Sequence, residues 1–515
     1  MTVARAYADK DTWITEASVT SNFGASPILE IWEKVNLLDK RKQFARILTK
    51  FTLSSLSAAI INDVTYPDPR TDSSVSAFIV MRNAKHGQVQ ADDFTLWAFP
   101  LTATWTEGRG LDNDNYSNTG YADAVSATKT QAWNDNDGQT GGNAFLGFDT
   151  GVYDSNSATQ YFENGQEDLK LDVTDYFKAY LNYSSGTSIA GGGSADHGFL
   201  VRMSNAQSCK DATEAAAAGV NASVSGLSFW TKKFYARETN TRKAPYFQLE
   251  WPGSIKDDRG AIRFSKSGNL YYFSLVDGVL TDLNSTGPFP GHVTISAYAA
   301  FDTNSITGLT PAALTAARFS KGVYRLQVGS AGPESATTPL SGINLGLSSA
   351  TAFSDSWTVT SAGEFRTDTF NFTCILPTSG HKNYTTANYQ VAIADMKDQY
   401  PKGSTQRIRV LVTDKTTQWE AVTGTTTAAK VSVVTDGTVS IRETVTDDVE
   451  IEPFAISYDE NGNFFDLDSN LLYEGMEYKI VLKLNVRGNT IFYDRPDNWS
   501  FVIGTKFDVD YKAGY

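Results

Sequence analysis

A chain of 515 residues is too long for one compact domain and suits about three or four modules. Its 41% hydrophobic and 20% charged content is an ordinary globular balance, which excludes wholesale disorder. A formal net charge of −14 argues against a main role in coating nucleic acid or anionic lipid, the sequence has no apolar run of transmembrane length, and four His with two Cys leave little raw material for His- or Cys-based catalysis.

Forty Gly against 15 Pro, with 24 Tyr, 29 Phe and 10 Trp, point to β-structure with many turns. The N-terminal MTVARAYADKDTWITEAS lacks the apolar core of a secretory signal, so the chain is expected to be made in a cytoplasm, staying there or entering a particle released by lysis. Residues 27–36 then carry a short amphipathic helical pattern. In ARILTKFTLSSL a strand sets Arg46, Leu48 and Lys50 on one face and Ile47, Thr49, Phe51 and Leu53 on the other. Further strands are predicted at 76–82 and 94–101, and LTATWTEGRG puts Trp105 and Glu107 at a strand end. LKLDVTDYFKAYLN reads as a strand leading into a short helix over 173–181, capped by Asp172 or Thr174. Residues 184–195 and 206–228 read as exposed loops, and HGFLVR as a buried strand. FYARETNTRKAPYFQLEW is a strand, a polar loop, and a last strand opened by Pro245.

Composition shifts near 252–255 and 377–383 give modules 1–254, 255–378 and 379–515. In the second, YYFSLV, HVTISAYA, GVYRLQV, DSWTVT and TFNFTCIL recur at intervals suited to an immunoglobulin-like sandwich, with Trp357 as core anchor and a helical pattern at 311–319. RIRVLVTD, AKVSVV, VEIEPFAISYDENGNFFDLD and MEYKIVLKLNV repeat that logic in the third. Cys209 and Cys374 read as two inert thiols.

Three acidic loops have the composition of calcium sites: 112–118 with Asp112 and Asp114, 134–138 with Asp135 and Asp137, and 459–468 with Asp459, Asn461 and Asn463. None is an EF-hand, since Phe464 stands where Gly is needed and Asn470 where the final Glu belongs. Ordinary Asx turns are the default reading of such loops, with a structural calcium as the sharper alternative, and no other cofactor is expected. GGGS at 191–194 lacks the Lys-Ser/Thr of a phosphate cradle, and the four His are scattered without a zinc or triad pattern. Arg237 and Glu238, read as strand neighbours, point to opposite faces; Arg237 is expected to pin two strands through a carboxylate, not to act in catalysis. Trp97, Trp105, Trp133 and Trp230 are candidates for stacking on sugars, with core packing as the default.

Taken in order, the segments around Arg46, Leu48 and Phe51; Trp105, Glu107 and Gly108; Asp172, Val173 and Thr174; Gly198 and Phe199; and Arg237, Glu238, Pro245 and Tyr246 resemble the DNRLRE family of jelly-roll sandwiches. Phe247 departs from that family's aliphatic residue, and a Gly/Ala-rich insertion precedes Phe229. The resemblance implies a jelly-roll fold and a surface-attachment role without catalysis. Segments ADMKDQYPKGSTQRIRVLV, EIEPF, SYDENGNFFDLD and LLYEGMEYKIVLKL resemble a tandem module of virion proteins in large tailed bacteriophages, covering most of 290–515.

The expected fold is therefore all-β: an N-terminal jelly-roll sandwich followed by two immunoglobulin-like sandwiches. The expected function is a non-enzymatic structural component of a tailed-phage virion, at the neck or collar, tail or baseplate. Its expected partners are further copies of itself and other virion proteins, without membrane insertion or nucleic acid. A carbohydrate-binding adhesion module that contacts host surface glycans is the alternative, and a polysaccharide-degrading enzyme has the least support.

Overall fold

The computed structural model describes residues 2–35, 42–63, 69–70, 73–90, 92–101, 104–111, 122–133, 158–184, 196–203, 229–260, 262–263, 268–283, 292–297, 314, 316–328, 351–361, 364–375, 389–394, 396–414, 433–486, 489–494 and 499–504. Among them the chain is all-β, built from mostly antiparallel sheets that close on apolar cores, with two α-helices. Neither described helix is long and apolar enough to cross a membrane. Two compact units emerge: one from Val3–Ile60 with Pro69–Trp251, the other containing Pro252–Tyr515.

The N-terminal unit contains β1 (Thr2–Thr15), β2 (Ile28–Val35), β3 (Lys42–Phe51), α1 (Leu53–Asp63), β4 (Ser76–Met81), β5 (Phe94–Pro100), β6 (Ser126–Thr128), β7 (Gln131–Ala132), β8 (Ala158–Phe162), β9 (Leu169–Asp172), α2 (Thr174–Ser184), β10 (Phe199–Met203), β11 (Trp230–Tyr235) and β12 (Tyr246–Trp251). Strands run in the order β8-β5-β10-β3-β1-β12-β4-β9, with β2 bridging β3 and β11. Strands adjacent in space are thus seldom adjacent in sequence, the mark of crossed sandwich connections. The long β1 slips register between Ala8 and Lys10, where Ala8 N–H donates to Pro245 O at 2.9 Å. Such a bulge re-aims the side chains that follow it, and Asp11 is among them.

Several sequence expectations change here. Of the helical pattern at 27–36, Ile28–Val35 is a strand, β2, in which Leu29, Ile31 and Glu33 are buried while Trp32 and Lys34 are only half-buried. That is period two, stabilised by pairing with β11 from Trp230↔Glu33 to Tyr235↔Ile28. Of the pattern at 311–319, the described Ala317–Ser320 is likewise a strand. The strand predicted through Leu53 stops at Phe51, and Leu53 opens α1, whose Leu53, Leu56, Ser57 and Ile60 form one buried stripe. Arg46 and Leu48 are as buried as Ile47, Thr49 and Phe51, because both faces of β3 are covered: Leu48 packs with Trp105 and Trp133, and Phe51 against Phe247. Phe247 packs with tilted rings between Phe51 and Phe177, with ring centroids 5.8 and 5.7 Å away, so its aromatic volume fills space between β3 and α2. Asp172 accepts from Thr174 N–H at 2.9 Å, as a helix cap should, while the Thr174 hydroxyl accepts from Ala77 N–H at 2.9 Å and ties the helix to β4.

In the C-terminal unit, strands His292–Ala297, Thr351–Ser361, Glu364–Ile375 and the short Ile262–Arg263 make one sheet. Gly268–Phe273, Val323–Val328 and Ala317–Ser320 make a second. Their shared core includes Tyr272, Trp357, Phe353, Phe372 and Tyr324, and Trp357 stacks on Tyr272 at 5.2 Å. A further pair of sheets follows, of four strands built on Thr405–Asp414 and six built on Glu477–Val486. Backbone bonds join Asp257 N–H to Tyr458 O (3.1 Å) and Tyr458 N–H to Ile255 O (2.9 Å), and Ile255, Tyr271, Val323 and Phe464 share an apolar cluster. Residues of 255–378 and of 379–515 therefore pack on one another directly.

Candidate functional site

The Trp-x-Glu-Gly and Arg-Glu segments meet although Glu107 and Arg237 are 130 residues apart. Asn22, fully buried, organises the meeting: its Nδ2 donates to Glu107 O (2.7 Å) and Ala122 O (2.8 Å), and its Oδ1 accepts from Gly110 N–H (2.8 Å) and Gly24 N–H (3.2 Å). An amide has two donor and two acceptor positions, so all four are used. The glycines follow from this wrapping. Gly108 has φ +89°, and a Cβ at Gly110 would lie 1.8 Å from Asn22 O.

Around this frame gather Asp11 from β1, Glu107 from the loop, and Glu238 from the turn after β11. One carboxylate oxygen from each lies within 4.8 Å of the others. Glu107 Oε1 accepts from Asp11 N–H at 2.8 Å and its Oε2 from Arg237 Nη2 at 2.8 Å. Arg237 Nε and Nη2 also donate to Glu238 Oε1, at 3.0 and 2.8 Å, and Arg237 N–H donates to Asp11 Oδ2 at 2.8 Å. Asp11 is 1% exposed, and its Oδ1 has no hydrogen-bond partner; nor has the buried Glu238 Oε2. Burial, then the Glu238 charge, holds the Asp11 carboxyl well above the usual range. Burial pushes Glu107 up to about 7 against the opposing pull of the Asp11 N–H and Arg237.

This geometry corrects one expectation and extends another. Arg237–Thr239 is a 3₁₀ turn, not a strand, so the side chains of Arg237 and Glu238 touch instead of facing apart. Arg237 does bind carboxylates, joining the loop at Glu107 to the turn at Glu238. Pro245 contributes the carbonyl that meets the β1 bulge. Asp11 and Asn22 escaped sequence reading, since neither stands in a local motif and β1 itself carries many polar residues.

The acidic loops at 112–118 and 134–138, with Asp112, Asp114, Asp135 and Asp137, lie outside the described residues, as do Cys209 and most of 184–195 and 206–228. In the third loop the side chains have separate duties. Asp459 Oδ1 accepts from Arg409 Nη1 (2.6 Å) and from Asn461 N–H (2.9 Å), while Asn463 is fully buried and exchanges bonds with the backbone of Val434 (2.9 and 2.7 Å). The segment is a hairpin between Ser457–Asp459 and Gly462–Asp468, closed by an Asx-type turn.

Of the four tryptophans considered for sugar stacking, Trp105 and Trp133 are core residues, their Nε1 groups bonded to His197 O and Asp123 O. Trp97 is half-buried and stacks on Phe99 at 5.7 Å. Trp230 does line an open groove of about 370 Å³, together with Trp13, Trp32, Phe229, Glu30 and Lys34.

No family model and no curated protein matches this sequence. Among solved structures, the N-terminal Ig1-2 module of the Drosophila receptor protein tyrosine phosphatase DLAR is 10% identical and covers 49% of this chain and 96% of its own, at a TM-score of 0.14. A DUF4785 family protein from Legionella pneumophila is 8% identical and covers 97% of this chain and 89% of its own, at a TM-score of 0.15. At such scores neither likeness bears on function, and the all-β description rests on the strand pairing above.

Proposed function

We propose that the chain is a non-enzymatic structural component of a tailed-bacteriophage particle, used in multiple copies at the neck or collar, tail or baseplate. The observation that carries the non-enzymatic part is the use of Glu107, Arg237 and Glu238 to tie a loop to a turn, beside a buried Asp11. The virion setting draws support from the resemblance of 290–515 to tailed-phage modules. Exposed apolar positions suit contacts with neighbouring copies: in the hairpin Leu275–Val276/Val279–Leu280, Leu275, Val276 and Val279 are all more than half exposed. Its turn residues Asp277 and Gly278 both have positive φ, which holds the tip in a tight primed turn. Mass spectrometry of gradient-purified particles from the encoding phage is expected to find this chain in several copies per particle. Its absence from particles, with abundance in the lysate, would refute the assignment.

A glycan-binding role for the same chain is the second reading, favoured by the aromatic groove at Trp32, Phe229 and Trp230. Retention on immobilised host surface polysaccharide, lost in Trp230→Ala, is its expected signature. Equal retention of both proteins would remove the groove from consideration.

A further inference from the structure

We propose that Asp11, Glu107 and Glu238 together bind one calcium ion. Every donor in the cluster is a carboxylate oxygen, with neither nitrogen nor sulfur, which selects a hard divalent cation. Calcium–oxygen bonds of about 2.3–2.6 Å place ligands on opposite sides of one ion about 4.6–5.2 Å apart. The three oxygens, all within 4.8 Å of one another, match the spacing of ligands around one such ion.

The independent indication is the pair of unanswered oxygens. Asp11 is 1% exposed, and its Oδ1, like Glu238 Oε2, is buried with no N–H or O–H donor, while the two carboxyls lie within hydrogen-bonding reach of each other. Buried acceptors normally find a partner, and leaving one unsatisfied costs about 1–3 kcal/mol. Charge points the same way. Three carboxylates face one guanidinium, which already serves Glu107 and Glu238 through the same Nη2. The Lys10 ammonium, held at Trp105 O, also acts on Glu107, and even with both cations counted the three carboxylates keep an excess negative charge that a divalent cation or a proton would offset. Arg237 is 40% exposed, so water can reach this side of the cluster and complete a coordination sphere of about six to eight oxygens.

The competing occupant is a proton shared between Asp11 and Glu238, and experiment separates the two. The full chain, stripped of metal, is titrated calorimetrically with calcium chloride and, separately, magnesium chloride. Thermal unfolding is followed in calcium and in EDTA. Calcium is expected to bind at this site and raise the unfolding temperature of the N-terminal unit, with magnesium weaker. Asp11→Asn, which keeps an acceptor for Arg237 N–H, and Glu238→Gln, at the more exposed edge, should each weaken calcium binding by at least about tenfold while both variants stay folded in EDTA. Heat of binding unchanged in both variants would put the ion elsewhere on this acidic chain and overturn the proposal. Absence of any calcium heat, with unfolding insensitive to EDTA, would overturn it in favour of the shared proton.

Discussion

Replacing Arg259 by methionine is expected to destabilise the C-terminal unit by about 3–5 kcal/mol, the cost of stranding a buried charge by removing its partner. Arg259 is 7% exposed and Asp355 not at all; Nη1 of the arginine reaches both Asp355 oxygens at 2.6 Å. Its Nη2 donates to Tyr271 O at 2.8 Å, and its Nε lies 3.3 Å from Asp257 Oδ2. Trp357, the core anchor, donates through Nε1 to the same Asp355 at 2.5 Å. Removal of the guanidinium takes the cationic partner from two buried carboxylates and a donor from the Tyr271 carbonyl, at the point where 255–258 packs on Ser457 and Tyr458. Denaturant unfolding measures the loss, and Arg259→Met/Asp355→Asn should recover part of it, since an amide keeps the acceptor for Trp357 without the charge. A single variant within roughly 1 kcal/mol of the parent, the size of a surface pair, would contradict this account.

The same site gives the pH dependence a sign. Burial pushes Asp257 up to about 7 from an ordinary 3.8, although Arg259 opposes the shift. The folded state therefore holds the proton more tightly than the unfolded chain does. The stabilisation from that proton is complete below about 4 and is lost as pH rises through about 7. Asp257→Asn should flatten this part of the stability profile relative to the parent. Superimposable profiles between pH 4 and 8 would show that Asp257 ionises normally.

Trp105→Ala is expected to cost the N-terminal unit about 3–5 kcal/mol, as large aromatic deletions in closed cores do. Its ring is buried with Ile14, Leu48, Leu101, Trp133 and Leu200, which come from separate strands and loops and cannot all collapse into the vacated space. The loss also leaves His197 O without the indole N–H that reaches it at 2.9 Å. Trp105→Phe should recover most of the packing and cost about 1–2 kcal/mol for the missing bond. Trp230→Ala provides the contrast: half-buried along the open groove, it should cost well under half as much as Trp105→Ala. Equal losses at the two tryptophans, measured by thermal or denaturant unfolding, would show that burial is the wrong measure here.

Local chemistry made much of this fold legible. Val/Ile/Tyr/Phe alternation between Gly/Asn/Asp clusters announced strands, and LKLDVTDYFKAYLN carried its own strand, cap and helix, because period and capping act over a few residues. Trp105, Glu107, Arg237 and Glu238 stood out through the resemblance to the DNRLRE family, not through period or capping. Local pattern fell short where a partner strand decides. The apolar positions of 27–36 satisfy a short helix as well as a strand, until β11 and β3 supply hydrogen bonds to an extended chain. Alternation along β3 sets Arg46, Leu48 and Lys50 apart from Ile47, Thr49 and Phe51, yet Arg46 is as buried as the apolar set because packing covers both faces of the strand. The carboxylate cluster shows the limit most clearly. Asp11 has no motif, and the turn that brings Glu238 beside Arg237 breaks the strand rule that set them apart. A residue's period and turn preference are properties of its near neighbours; its burial and charge partners arise only when segments more than a hundred residues apart are pressed together by a closing sheet.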